Sequence, residues 1–125
     1  MGLLFKKKKE PAKTPQKSKL DIRIKELQKR NSLENELFER NQAAMSAERA
    51  GDISGAIKGY ESVIAEGFDG SAAFRNLAGI YRTQGRTDDE IRILSKYLDI
   101  ASKRGWNTPK VDKFRKDLES AMKRK

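Results

Sequence analysis

The chain has 125 residues, enough for one domain, with 36% hydrophobic residues, 37% charged residues and a formal net charge of +10. It contains no cysteine and no histidine, which excludes disulfides, thiol chemistry and Cys-ligated zinc and removes the commonest general base and transition-metal ligand. The remaining carboxylates, lysines, tyrosines and hydroxyls point away from an enzyme, so no catalytic residue, metal ligand or cofactor site is expected.

The charge is unevenly spread. Residues 1–30 hold 11 Lys and Arg against 3 Asp and Glu, net +8; residues 31–102 hold 8 against 12, net −4; residues 103–125 hold 9 against 3, net +6. The first stretch, 1–19, has the lysine run Lys6, Lys7, Lys8 and Lys9, two prolines and almost no apolar content after Phe5. Such a composition cannot bury enough surface to offset chain entropy, so a disordered basic tail is expected over 1–19. Leu20, Ile24 and Leu27 then fall at helical spacing, while Leu20, Ile22 and Ile24 alternate as in a strand; the helix formers Lys25, Glu26, Leu27, Gln28 and Lys29 that follow favour a helical lead-in over 20–32. No apolar stretch approaches the roughly 20 residues of a membrane span, and no secretory signal is visible, which makes a cytoplasmic protein the expectation.

From about Leu33 to Lys125 the pattern is strongly helical and repeats. Gly51 and Gly85 are 34 residues apart, and the same offset pairs Ala44 with Ala78, Ile57 with Ile91, Tyr60 with Leu94 and Ile64 with Leu98. Each glycine sits where a helical hairpin must turn. Asp52 is the expected cap of the helix after the first. A Thr87-x-x-Glu90 capping box is expected after the second, and Asp69 or Ser71 should cap the helix between them. Over 71–84, Phe74, Leu77, Ala78 and Tyr81 form one apolar stripe. Over 88–101, Ile91, Leu94, Leu98 and Ala101 form another, widened by Ile93, Tyr97 and Ile100. A last helix, 108–123, is predicted from Thr108 as cap, Pro109 in the first turn and the stripe Val111, Phe114, Leu118 and Ala121 or Met122, with Trp106 packed at its start.

Through Ala44, Gly51-Asp52, Ala56, Tyr60 and Val63 in one unit, and Phe74, Leu77-Ala78, Tyr81 and Gly85 in the next, the chain resembles the tetratricopeptide repeat family. The likeness covers repeats 37–70 and 71–104. It departs from the family pattern at Glu90, which stands where a small residue is usual, and no proline closes either repeat. The fold class expected is all-α: antiparallel helical hairpins stacked as a short solenoid, closed by a C-terminal capping helix. About three repeats are usually needed for a continuous core, so a stack left inadequately capped should form a homodimer.

The resemblance further implies a groove lined by the first helix of each repeat that binds a peptide or protein surface. The residues it places there are Phe38, Asn41, Met45, Glu48 and Arg49, then Ala72, Arg75, Gly79, Arg82 and Thr83. Spacing alone puts Arg75, Gly79 and Arg82 on one helix face, away from Phe74 and Tyr81. Arginine forks suit carboxylates, so Arg75 and Arg82, with Asn41, Met45 and Arg49 beside them, form the candidate partner-binding groove for an acidic segment. The alternative is a solvated face whose arginines pair with Glu48 or other local acids. The function expected is that of an adaptor. The runner-up is electrostatic attachment of the tails, Lys6–Lys9 above all, to nucleic acid or an anionic membrane. Asp88-Asp89-Glu90 reads as a helix start and not as a metal site, because adjacent helical positions diverge.

Overall fold

The computed structural model describes residues 15–125. The run Lys6–Lys9 and most of the expected disordered tail therefore lie outside the described residues. Among the described residues the structure is all-helical: α1 (Pro15–Arg49), α2 (Ile53–Ala65), α3 (Ser71–Thr83), α4 (Thr87–Arg104) and α5 (Pro109–Arg124). The lead-in and the first helix expected near Leu33 form one helix, α1, which begins at Pro15. Two units divide the chain, 1–36 and 37–125. In the first, every described side chain from Lys19 to Glu36 is exposed.

The second unit carries the core. In it α2 packs on α3, α3 on α4 and α4 on α5. Four helices, α1 to α4, end in the same way. At Gly51, Gly67, Gly85 and Gly105 the chain turns through positive φ. The glycine N–H bonds back three residues and the following N–H bonds back five, as in Asp52 to Ala47 at 2.8 Å and Arg86 to Tyr81 at 2.8 Å. This is the Schellman arrangement, which satisfies carbonyls left open at a helix end. The turns at Gly51 and Gly85 match bond for bond at the 34-residue offset, since Ala50, Gly51 and Asp52 donate to Ser46, Glu48 and Ala47 while Gln84, Gly85 and Arg86 donate to Ile80, Arg82 and Tyr81.

The helix starts agree with the sequence in two cases and differ in two. Asp52 caps α2, accepting from the Gly55 N–H at 2.9 Å, and Thr108 caps α5, accepting from the Val111 N–H at 3.3 Å. Neither Asp69 nor Ser71 caps α3, whose N-cap is Gly70 with no side-chain bond. The Asp69 carboxylate is drawn away by Arg104, with which it forms an ion pair. The Thr87-x-x-Glu90 capping box does not form. Arg86 is the N-cap of α4 and Thr87 is already its first residue, which puts Glu90 at the fourth helical position, one past the third position from which a capping-box acid reaches back. Glu90 is instead 2% exposed.

Core packing follows the expected stripes. Tyr60, Val63, Phe74, Leu77, Tyr81, Ile93, Leu94, Tyr97, Val111 and Phe114 are buried. Tyr97 joins three helices: it meets Phe74 edge-on at 5.3 Å, stacks on Phe114 at 4.0 Å and lies 6.2 Å from Trp106. Aromatic pairs in these geometries add to the burial of their area. Ala121 is the buried member of the last stripe and Met122 is exposed. On α2 a side chain at Gly59 would stand 2.7 Å from the Ala44 Cβ, so α1 and α2 approach closely there.

Candidate functional site

The exposed face of α3 is flanked by two clefts that share Arg75, Gly79 and Thr83. One, of about 270 Å³, is completed by Ala78, Arg82, Leu94 and two acids, Glu90 from α4 and Asp117 from α5. The other, of about 460 Å³, is completed by Ile80, Asn76 and Gln84, with Glu48 reaching in from α1 and Ile53 from α2. The clefts exist because the stripe Phe74, Leu77, Ala78 and Tyr81 commits the opposite side of α3 to the core, and the i, i+4, i+7 spacing leaves Arg75, Gly79 and Arg82 outward.

Gly79 is the open floor between the arginines. Its φ is an ordinary helical one and a Cβ built on it meets nothing within 4 Å. Neither the backbone nor the packing of this chain therefore requires glycine there. Such a residue in mid-helix lowers stability relative to alanine. What it provides is a bare stretch of helix backbone, with Thr83 donating its hydroxyl to the Gly79 carbonyl at 3.0 Å.

Charge around the clefts is unequally satisfied. Glu90 accepts both arms of the Arg124 guanidinium, at 2.8 and 3.1 Å. Asp117 pairs with Lys113 at 2.9 Å. Glu48 accepts the Tyr60 hydroxyl at 2.7 Å, and Asn76 donates to the same oxygen of Tyr60 at 3.2 Å. Burial, with the Glu48 carboxylate beside it, pushes the Tyr60 hydroxyl up to about 12. Among the described residues no acid lies within ion-pairing distance of Arg75 or Arg82. The acids of the clefts are engaged, and the charge left without a partner there is positive.

The other sequence-derived groove residues are placed differently. Asn41 is buried, its amide N–H donating to the Met45 sulfur at 3.7 Å and its Oδ1 without a hydrogen-bond partner. Met45 is half-buried, and Arg49 is exposed and donates to Ser46 at 3.1 Å. None of the three lines either cleft. Glu48, expected in the groove as a partner for arginine, lines the second cleft but accepts from a tyrosine. The sequence missed Glu90, Leu94 and Asp117 as lining residues. The available signal was Glu90 itself, which falls 34 residues after the fully buried Ala56.

A second polar cluster sits on α2, α3 and α4. Arg92 bridges Glu61 at 2.5 Å and Asp89 at 3.2 Å, and the Tyr81 hydroxyl donates to Glu61. Burial pushes the Glu61 carboxyl up, but the hydrogen bonds from Arg92 and Tyr81 outweigh it and hold the carboxyl below its usual value. Burial and the hydrogen bond to Glu61 push Tyr81 up to about 12. These groups are saturated with one another and stitch three helices together. The acids Asp88, Asp89 and Glu90 diverge, pairing with Lys125, Arg86 and Arg124 respectively. Among the described residues no group of three or more acids could hold a metal ion, and no helix is long and apolar enough to cross a membrane. No family model, no curated protein and no solved structure matches the chain.

Proposed function

We propose that this chain is a binding module of the tetratricopeptide type, an adaptor that takes an acidic peptide or protein segment across the face of α3 and carries out no chemistry itself. The observation that carries the reading is the pair Arg75 and Arg82. Both are exposed in clefts whose acids are already paired, and the bare backbone of Gly79 lies between them. A guanidinium without an internal partner gains a charge-assisted hydrogen bond from an incoming carboxylate and loses no internal bond to make it. The solenoid part of the reading is supported by the packing order, in which each helix of α2 to α5 packs on the next across a short glycine turn. Such short connections favour antiparallel neighbours.

The test is a fluorescence anisotropy titration of the full chain with acidic decapeptides and with the same peptides carrying Asn for Asp and Gln for Glu. Acidic peptides should bind and neutralised ones should not. Arg75→Glu with Arg82→Glu should weaken binding by about tenfold or more, in line with two charge-assisted bonds. Gly79→Leu, which fills open space, should weaken it while leaving the fold intact. Equal affinity of the parent and both variants for acidic peptides would reject the groove.

A further inference from the structure

The helix segment that precedes the second unit has its own unsatisfied surface. Within α1, Leu20, Ile24 and Leu27 are 59%, 46% and 48% exposed, and the spacing i, i+4, i+7 puts all three on one face. Most helical stability in proteins comes from packing an apolar face, and from Lys19 to Glu36 every described side chain is exposed. Arg23 and Arg30, seven residues apart, run along the edge of that stripe. The whole stretch 1–30 carries 11 basic residues against 3 acidic ones.

From these observations we infer that the Leu20–Arg30 segment docks flat on an anionic lipid bilayer. Leu20, Ile24 and Leu27 enter the headgroup boundary, while Arg23 and Arg30 lie along it with their stems in the apolar layer and their guanidinium groups among lipid phosphates. Charge complementarity selects this occupant. A second copy would bring together two 1–30 stretches of net +8, of which Leu20–Arg30 itself holds +2 (Arg23, Lys25, Lys29 and Arg30 against Asp21 and Glu26), whereas an anionic surface attracts them. A nucleic acid would satisfy the charge but offers no apolar layer for three exposed aliphatic side chains. This surface shares no residue with the α3 clefts and does not depend on the acidic-segment reading.

Flotation of the full chain with phosphatidylcholine vesicles containing about 30% phosphatidylserine, beside pure phosphatidylcholine vesicles and at low and high salt, tests the inference. The chain should float with the anionic vesicles only, and less at high salt. The variant Leu20→Ser/Ile24→Ser/Leu27→Ser leaves the charge unchanged and should lower the partition coefficient at least about tenfold. Its thermal transition should match the parent's, since all three side chains are exposed. Equal flotation of the triple variant would overturn the inference, because charge alone would then hold the chain. So would binding to duplex DNA with no flotation. A concentration-dependent dimer that is lost in the triple variant, again without flotation, would reassign the stripe to self-pairing.

Discussion

Replacing Gly79 and Gly85 by alanine, six residues apart, should change stability in opposite directions. At Gly79 the backbone is helical and a methyl group meets open space, so Gly79→Ala should raise stability by about 0.5–1 kcal/mol. At Gly85 the backbone turns through φ +72°, a conformation that an L side chain rarely adopts, and Gly85→Ala should lower stability by about 1 kcal/mol or more. Urea unfolding of the two variants beside the parent measures both signs. Stabilisation at position 79 together with weaker peptide binding would mean that the missing side chain serves the ligand and not the fold. The sequence made Arg75, Gly79 and Arg82 legible as one face because helical spacing alone fixes that. It misplaced Asn41, because whether a polar residue at the margin of a stripe is buried depends on the neighbouring helices and not on its own helix.

The start of α4 is where local sequence signals and tertiary packing compete. Thr87 and Glu90 carry the spacing of a capping box, yet Arg124 on α5 takes both oxygens of Glu90. A buried carboxylate held by a bidentate guanidinium outweighs one backbone hydrogen bond at a helix end. The 34-residue offset sets Glu90 against Ala56, so alanine is a side chain this kind of position accommodates. Arg124→Ala should therefore lower the midpoint of thermal unfolding by leaving a buried charge without its partner. Adding Glu90→Ala should restore part of that loss, and a double-mutant cycle reads the coupling. A double variant less stable than Arg124→Ala would show that the Glu90 side chain fills space nothing else can. The helices, the turns and two of the four caps in the second unit were visible in the sequence because each depends on residues close along the chain. The Glu90–Arg124 and Asp69–Arg104 pairs span 34 and 35 residues, and no local pattern announces them.

At the scale of the whole molecule, the fold holds all three tyrosines neutral at alkaline pH. Tyr60 and Tyr81 are pushed up to about 12 from a usual value of 10.0, and burial also pushes Tyr97 up. A raised folded-state value means that the fold favours the neutral phenol. That stabilisation is complete below pH 10, where the unfolded chain is also neutral, and is lost as pH rises toward 12. Absorbance at alkaline pH should accordingly show tyrosinate appearing well above the ordinary midpoint and together with loss of helicity. An ordinary midpoint in a still-helical protein would place the hydroxyls in water. The sole tryptophan of the chain, Trp106, occupies the turn between α4 and α5, 6.2 Å from Tyr97 and with the Arg104 guanidinium 5.3 Å above its ring. Its indole is thus a built-in optical probe of that turn: the colour of its emission reports, without a label, whether the junction of the last two helices stays packed as the chain is heated or titrated with denaturant.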